Sequence, residues 1–274
     1  GKHLSVKTAA RTLGAWINFG AQHLCGTQAE RAVKATETAQ RVGYLPNPPI
    51  VKRTIHAATS MMQGLYGIQV TALGAQKISS WSTAALHLWW GAGRKMRAKE
   101  LCWGLFAKPH KEEPFQAIEM RRIGGLRRRL QMHPELHEQH VRDWTATLGP
   151  SSGAPPRKHE DGPLHLVAWE VQRLGWQWDD PWWYELPNGN VLPVAGGPNA
   201  WWQHVVREEL RRRDLRELLK RRPHLGGIEN GLATDLLLSL FRWKGTKEHP
   251  ALTPYERGIL QAVLADGIMT QHRR

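Results

Sequence analysis

Apolar residues at helical spacing, in stretches that end at proline or glycine, are the feature that most restricts the fold of this chain. The clearest stretch, 75–90, contains Ile78, Trp81, Ala85 and Leu88, which recur every three or four residues. This spacing places the four side chains on one face of an α-helix. The same pattern predicts further helices, one beginning at Thr27 and the others spanning 49–65, 95–106, 114–131, 133–149, 164–175, 199–222, 230–243 and 253–268.

Strand signals are few. Residues 182–194 read WWYELPNGNVLPV, and an Asn-Gly pair between two apolar runs predicts a β-hairpin. Pro187 and Pro193 predict that both of its strands are edge strands, because proline cannot donate to a ladder. A further short strand is predicted within 13–20, LGAWINFG. The predicted fold is mostly α: a helical bundle, followed by a second mainly helical region with one β-hairpin.

The segment 149–163, GPSSGAPPRKHEDGP, has the composition of a linker. It is rich in proline, glycine, serine and charge, and it has no apolar periodicity. A boundary here divides the chain into a strand region over 1–20, a helical domain over 21–148 and an α-rich domain over 164–274, which contains the hairpin 182–194.

The chain is strongly basic. It contains 38 Lys and Arg residues against 24 Asp and Glu, a formal net charge of +14. Such an excess favours a partner rich in phosphate, either nucleic acid or an anionic membrane surface. No run of about 18 apolar residues occurs, so no membrane-spanning helix is predicted. We therefore expect RNA or DNA as the partner, and no membrane.

The cysteine content and the chain ends bear on location. Cys25 and Cys102 are too few for a disulfide framework or a Cys-rich zinc site, and both are expected to be core residues in a reducing compartment. The start, GKHLSVKTAARTLG, has no secretory signal pattern. We expect an intracellular protein, nuclear or cytoplasmic, and a fragment of something longer, because both ends read as cut.

Two basic runs are the strongest candidates for phosphate contacts. The first, RRIGGLRRRL, holds no acidic residue, and the forked guanidinium of arginine suits phosphate oxygens. Its candidate residues are Arg121, Arg122, Arg127, Arg128 and Arg129. Gly124 and Gly125 within this run are expected to interrupt its helix.

The second run, REELRRRDLRELLKRR over 207–222, also carries acidic residues. Acidic and basic residues one helical turn apart can pair, so the alternative for this run is a solvated, salt-bridged helix face. Its candidate residues are Arg211, Arg212, Arg213, Lys220, Arg221 and Arg222.

The 14 tryptophans have two possible uses. Trp81, Trp89 and Trp144 lie on apolar helix faces, which favours core packing. In the doublets Trp182–Trp183 and Trp201–Trp202, the two neighbours cannot both point inward. One member of each doublet is therefore a candidate for exposed stacking on bases or for a domain interface.

Two further residue groups are candidates for catalysis. Asp179 and Asp180 are a carboxylate pair of the kind that holds catalytic magnesium, with turn formation by aspartate as the alternative. His133, His137 and His140 lie at i, i+4 and i+7, a spacing that can hold zinc, with ordinary solvated or core imidazoles as the alternative. Neither group has the context that a site needs, so we assign no catalytic residue, no metal ligand and no cofactor to this segment.

An ordered set of motifs carries a resemblance to a known family. The set is TLGAWINF, a basic helix, IVKRTIHAATSMMQGLYGIQVTAL and a Trp-containing helix. This order resembles the segment just after the polymerase core in reverse transcriptases of LINE-type, non-LTR retrotransposons. Leu13–Gly14 match the strand signature that closes the family's palm, and Leu65–Gly67 match its Leu-Tyr-Gly helix end. Gln69 stands where the family usually has glutamate.

The resemblance covers residues 4–110 and, more loosely, 164–274, whose end looks like the helix before a Cys/His zinc knuckle. It implies the thumb and post-thumb region of an RNA-directed DNA polymerase, which grips an RNA template or RNA–DNA duplex without a catalytic centre of its own. The parent's palm domain, with its carboxylates and magnesium, would precede residue 1. Tyr66 is then expected to pack beneath the helical bundle.

Three other interpretations fit the same residues. A structural RNA-binding scaffold protein of a ribonucleoprotein would share the basic, helical character without polymerase ancestry. A small metal-dependent hydrolase would use His133, His137 and His140. A degenerate copy of a mobile element would fold poorly and melt without cooperativity.

Overall fold

The computed structural model describes residues 9–12, 15–18, 26–92, 97–148, 162–228, 239, 246 and 250–265. Its helices are α1 (Gly26–Gly43), α2 (Pro49–Ala58), α3 (Ser60–Leu65), α4 (Ala75–Trp90), α5 (Lys99–Phe106), α6 (Pro109–Glu112), α7 (Pro114–Met132), α8 (His137–Leu148), α9 (Pro163–Arg173), α10 (Asn199–Arg221) and α11 (Pro254–Leu264). Two short 3-10 helices span Pro134–Leu136 and Pro223–Leu225. The mostly α fold predicted from the sequence is confirmed, whereas the helix predicted over 230–243 lies, apart from residue 239, outside the described residues.

The strands form two small antiparallel sheets. β1 (Ala9–Thr12) pairs with β2 (Ala15–Asn18), and β2 lies within the strand predicted over 13–20. The second sheet has the order β3 (Gln177–Asp180), β4 (Trp183–Glu185) and β5 (Val191–Pro193).

The hairpin predicted over 182–194 is confirmed as β4 and β5, but its two strands are not both edges. β4 is the central strand, between β3 and β5. Pro187 lies beyond the end of β4 at Glu185, so it removes no hydrogen bond from the ladder on either side. Gly189, in the turn, has a φ of 79°, which glycine reaches more readily than other residues. Pro193 is in β5, which is an edge strand as predicted.

The first hydrophobic core lies among α1, α3, α4 and the first half of α7. Trp81 of α4 is completely buried in it, and its indole Nε1 donates to Ser60 Oγ at 2.9 Å. The Ser60 hydroxyl in turn donates to the Ala35 carbonyl of α1 at 2.7 Å. From α7, Ala117 and Ile118 complete this core. The hydrogen-bonded chain from α4 through α3 to α1 fixes how these three helices pack.

The prediction of a single helix over 49–65 is wrong in one respect, because the helix is interrupted at Thr59. The Thr59 hydroxyl donates to the Ile55 carbonyl at 2.7 Å, and its backbone turns to φ −115° and ψ −78°. Side-chain bonding to the preceding turn competes with regular helix geometry. Two helices result, so Ile50 on α2 is 62% exposed while Met61 on α3 is buried.

The prediction that Tyr66 packs beneath the bundle is also wrong. Its side chain is 49% exposed, and the Arg31 guanidinium lies 4.8 Å from the ring centroid. The Tyr66 carbonyl accepts a bond from Arg31 Nη1 at 3.2 Å. Gly67 follows with a φ of 80°, so the helix ends at the Leu-Tyr-Gly motif, as the resemblance implies.

The second hydrophobic core joins α7 and α8 to α9, α10 and the three-stranded sheet. Ile123 and Leu130 of α7 and Trp144 of α8 are buried there with Val167 of α9 and Trp202 of α10. Helix α7 therefore contributes to both cores. The predicted linker lies almost entirely outside the described residues, and the division into domains stays a prediction.

The interruption expected at Gly124 and Gly125 is absent from α7, which continues through both residues. A β-carbon at position 125 would lie 3.1 Å from Gln69 Cγ, and one at position 124 would lie 3.8 Å from the Trp202 ring. The glycines thus permit close contacts on two sides of an unbroken helix. Within the described part of the chain, no helix has the length and apolar character needed to cross a membrane.

Candidate functional site

Helix α7 carries the first basic run, and its start is firmly anchored. Glu113 caps the helix by accepting from the Gln116 N–H at 2.8 Å, and Ser82 of α4 donates to the same carboxylate at 2.7 Å. Pro114 at the first helical position suits the helix start. Burial raises the pKa of Glu113, which the two hydrogen bonds partly offset.

Arg122 is one of the predicted phosphate contacts, but the structure places it inside the fold. Its guanidinium forms an ion pair with the Glu170 carboxylate of α9, and both side chains are buried. It also donates to the carbonyls of Ile68 at 3.2 Å and Thr71 at 3.0 Å. These bonds leave Arg122 with a structural role that joins α7, α9 and the loop after α3.

Arg127 is buried as well. Nη2 donates to the Gly197 carbonyl at 2.6 Å, and Nη1 donates to the Gly196 carbonyl. The guanidinium carbon lies 5.0 Å from the Trp202 ring centroid. Burial lowers the pKa of Arg127. The residue therefore ties α7 to the loop before α10 rather than facing a ligand.

Arg213 is the buried member of the second basic run. It forms an ion pair with Glu119 of α7, and its Nη2 lies 2.7 Å from Asp214 Oδ1. Although burial alone lowers the pKa of Arg213, the carboxylates of Glu119 and Asp214 raise it above its ordinary value. The expectation of phosphate contact is therefore wrong for Arg122, Arg127 and Arg213, because protein groups already surround all three.

The remaining predicted residues of α10 are mostly paired, which is the alternative recognised for this run. The pairs lie three residues apart or between helices: Arg211–Glu208 at 4.0 Å, Arg212–Glu209 at 2.7 Å, Lys220–Glu217 at 2.6 Å and Arg221–Glu100 at 2.7 Å. Arg222 follows the helix and is half-exposed. This face is a salt-bridged surface with few unneutralised cations.

The exposed face of α7 is different. Arg128 and Arg129 are exposed, and neither has an ion-pair partner among the residues that the structure describes. Arg121 lies on the same helix face two turns earlier, half-buried, with Nη2 3.4 Å from Met62 Sδ. Burial lowers the pKa of Arg121. Of the five arginines predicted on α7, two are thus fully available to a ligand.

Both open arginines line a groove of about 760 Å³. The loop after α3, helix α7, helix α8 and the first residues of α9 surround it. Its apolar lining includes Val70, Leu126, Leu130, Leu136, Leu164 and Val167. Its polar lining includes Gln69, Arg128, Arg129, His133, Gln139 and Asp143. These residues come from three separate parts of the sequence, 69–70, 122–143 and 163–167, so no local pattern could have predicted the groove.

The three histidines of the possible zinc site point to different acceptors. His133 Nδ1 lies 2.9 Å from Glu135, His137 Nε2 lies 3.0 Å from the Leu130 carbonyl, and His140 Nε2 lies 2.9 Å from the Pro181 carbonyl. Burial lowers the pKa of His140. Within the described ranges, no three His, Cys, Asp or Glu side chains are arranged to hold a metal ion.

Asp180 shapes a turn. Its Oδ1 accepts from the Trp182 N–H at 2.7 Å, between β3 and β4. Trp182 packs edge-on against His137 and His140, with centroids 4.8 and 5.3 Å away. The turn interpretation of the Asp-Asp pair accounts for this geometry.

Each tryptophan doublet has one exposed member, as predicted. Trp183 is 47% exposed and Trp201 is 44% exposed, whereas Trp202 is 1% exposed. Trp183 lies opposite Pro193 in the sheet register. Trp201 packs near Gly197, which also approaches Pro193, so both exposed rings lie near the same edge of the sheet.

Comparisons with protein-family models, with curated proteins and with solved structures each gave no match to this chain.

Proposed function

We propose that this chain binds RNA or an RNA–DNA duplex through phosphate contacts made by Arg128 and Arg129 at the groove beside α7. The observation that carries the proposal is that these two neighbouring guanidinium groups are exposed and unpaired within the described residues. Arginine contacts of this kind position a nucleic-acid backbone without reading its sequence. The net charge of +14 supplies the long-range attraction.

The resemblance to LINE-type reverse transcriptases supports a more specific form of the proposal. In that form the chain is the thumb and post-thumb part of an RNA-directed DNA polymerase. Magnesium and the catalytic carboxylates belong to a palm before residue 1, and this chain holds the template or product duplex. An in-frame aromatic-x-Asp-Asp motif upstream of Gly1 in the encoding transcript would support this form, and a reading frame without it would favour a ribonucleoprotein scaffold.

Binding is tested with a charge-reversal pair, Arg128→Glu with Arg129→Glu. The matched control is Lys34→Glu with Arg41→Glu, which changes the net charge equally on exposed positions of α1. Affinity for a single-stranded RNA and for an RNA–DNA duplex is measured by fluorescence anisotropy over a range of salt concentrations. Losing two phosphate contacts reduces the slope of log K against log salt by about 1.5.

We expect the α7 variant to bind every sequence at least about tenfold more weakly at low salt, with the reduced slope. The α1 variant should keep most of the affinity and the original slope. Equal losses in both variants would mean that net charge alone drives binding, which contradicts a site at the groove.

A further inference from the structure

The outer face of the three-stranded sheet exposes a tryptophan between acidic residues. On β4, Trp183 and Glu185 are exposed on either side of the buried Tyr184. On β5, Val191 is exposed next to the buried Leu192. We define the Trp183 face as the outward residues of the sheet together with the neighbouring indole of α10: Asp180, Trp183, Glu185, Val191, Pro193 and Trp201.

The strand register aligns four of these residues across the sheet. Asp180 of β3 is paired with Trp183 of β4, which is paired in turn with Pro193 of β5. Residues paired across an antiparallel sheet lie on the same side of it. A β-carbon on Gly197 would lie 3.2 Å from the Trp201 ring and 3.7 Å from Pro193 Cγ, so Trp201 continues the line beyond β5. The line is about 15 Å long, because neighbouring strands lie about 4.8 Å apart.

Both indoles of this line are open to a ligand. Trp183 and Trp201 are exposed, and within the described ranges no aromatic ring or cation packs against either of them. Pro193 lies between the two indoles, and Val191 adds an exposed apolar side chain two residues earlier on β5. Exposed apolar residues that adjoin in this way are typical of an interaction surface.

Two carboxylates flank Trp183. Asp180 is its partner across the sheet, and Glu185 lies two residues further along the same strand, about 7 Å away. Both are exposed, and neither forms an ion pair with a residue that the structure describes. Arg127 is buried and bonded to backbone carbonyls of the loop before α10, so its guanidinium does not cover either indole. A cation above Trp183 would be attracted by the indole ring and by both carboxylates.

Other kinds of ligand suit this face less well. The carboxylates of Asp180 and Glu185 repel phosphate groups, which disfavours a nucleic-acid backbone. Strand addition at the edge of β5 is restricted at Pro193, which has no N–H and whose carbonyl already accepts from Trp202 Nε1 at 3.0 Å. Recognition here therefore depends on side chains, and on a ligand with positive charge.

We propose that the Trp183 face binds a short basic peptide segment of a protein partner. An arginine or lysine of the peptide lies over Trp183, beside Asp180 and Glu185, and a neighbouring apolar residue packs on Pro193 and Trp201. The length of the line, about 15 Å, matches four or five residues of extended peptide. This surface is separate from the groove beside α7, so a result on Arg128 and Arg129 leaves the proposal unaffected.

Two hexapeptides, GRVPRG and GEVPEG, test the proposal by NMR when they are added to the full chain. The indole N–H signals of Trp183 and Trp201 are assigned with the variants Trp183→Phe and Trp201→Phe. We expect the basic peptide to shift both signals and the acidic peptide to shift neither. The test is stringent, because a net charge of +14 repels the basic peptide elsewhere and attracts the acidic one.

Variants separate the contributions of charge and ring. Glu185→Lys should weaken binding of the basic peptide about fivefold or more, because a repulsion replaces an attraction about 7 Å from the bound cation. Glu30→Lys, at an exposed position of α1, changes the net charge equally and should bind as the unaltered chain does. Trp183→Leu keeps an apolar side chain without the π face, and it should weaken binding by about two- to fivefold.

Several results would overturn the proposal. They are the absence of shifts with the basic peptide, equal affinities for the two peptides, and equal affinities of Glu185→Lys and Glu30→Lys for the basic one. A short oligouridine that shifts the Trp183 and Trp201 signals when the basic peptide does not would instead identify a platform for stacked bases. Matching amide spectra of the variants show that folding is not the cause of a loss.

Discussion

The indole of Trp81 lies so close to the backbone of Gly64 that a β-carbon there would stand 2.3 Å from Cη2. No real contact is that short, and Trp81 is held by its bond to Ser60 at 2.9 Å. The contact joins α3 to α4 at the centre of the first core, and it explains why a glycine precedes Leu65 in this helix.

Gly64→Ala should destabilise the fold by about 1–3 kcal/mol, because the added methyl group overpacks a filled core. Gly258→Ala is the matched control, since nothing lies within 4 Å of its β-carbon position in α11. The control should be neutral or slightly stabilising. Urea denaturation of both variants measures the difference, and equal stabilities would mean that the core yields to the methyl group.

Replacing Arg122 should strongly lower the free energy of unfolding. Arg122→Met leaves the buried Glu170 with Arg173 alone, a partner that is 36% exposed and lies 3.2 Å away. Loss of a buried partner typically costs about 3–5 kcal/mol. Lys220→Met, which breaks a pair whose side chains are 70% and 56% exposed, should change stability by less than about 1 kcal/mol.

The double variant Arg122→Met with Glu170→Gln checks the cause. Most of the stability should return if the unpaired carboxylate is responsible for the loss. No recovery would instead point to the two carbonyl bonds of Arg122, to Ile68 and Thr71.

Stability should fall in mild acid because of His56. Burial lowers its pKa from 6.5 to about 4, although a hydrogen bond to the Glu112 carbonyl at 3.0 Å acts in the opposite direction. The His56 imidazole therefore binds a proton more tightly in the unfolded chain than in the folded protein. The contribution of His56 is complete above pH 6.5 and is lost as the pH falls through 4, up to about 3 kcal/mol.

Chemical denaturation between pH 4 and 7.5 measures this dependence. The free energy of unfolding of His56→Gln should depend less steeply on pH than that of the unaltered chain. His110, whose pKa is also lowered to about 4, contributes to the pH dependence of both proteins. Parallel pH profiles would show that His56 is not the group responsible.

The capping box of α11 gives a local prediction. The Thr253 hydroxyl accepts from the Glu256 N–H at 3.2 Å, and the Glu256 carboxylate accepts from the Thr253 N–H at 2.7 Å. Thr253→Ala should weaken the helix by about 1 kcal/mol. Hydrogen exchange should then accelerate in the first turns of α11 and stay unchanged in α4. Uniform acceleration would indicate a global effect instead.

Periodicity and proline placed most helices correctly, because those signals are local. Pro49, Pro114 and Pro254 each lie at the first position of a helix, as the sequence predicts. The break at Thr59 depends on a side-chain bond that the spacing of apolar residues does not reveal. The continuity of α7 through Gly124 and Gly125 depends on Gln69 and Trp202, which are far away in the chain.

Prediction from local sequence meets the same limit in the two basic runs. Pairing within α10 was predictable because Glu209 and Arg212 are three residues apart. The burial of Arg122 was not, because Glu170 is 48 residues further along the chain. A charged residue looks alike in sequence whether it meets solvent or a distant carboxylate, so only tertiary structure could separate Arg128 and Arg129 from their neighbours.

Helix α7 belongs to both cores, so a cut in the chain after α8 would separate α7 from most of its partners in the second core. A chain severed between Leu148 and Gly162 would yield one piece ending in α8 and another beginning with α9. The first piece would carry Ile123, Leu130 and Trp144 of the second core, and the second piece would carry the rest of it; each would hold one member of the Arg122–Glu170 pair. Because both the second core and this buried ion pair span the cut, we expect the pieces to be suited to fragment complementation. We expect mixing to restore the buried Arg122–Glu170 pair, so that reassembly itself would report that the two pieces have met.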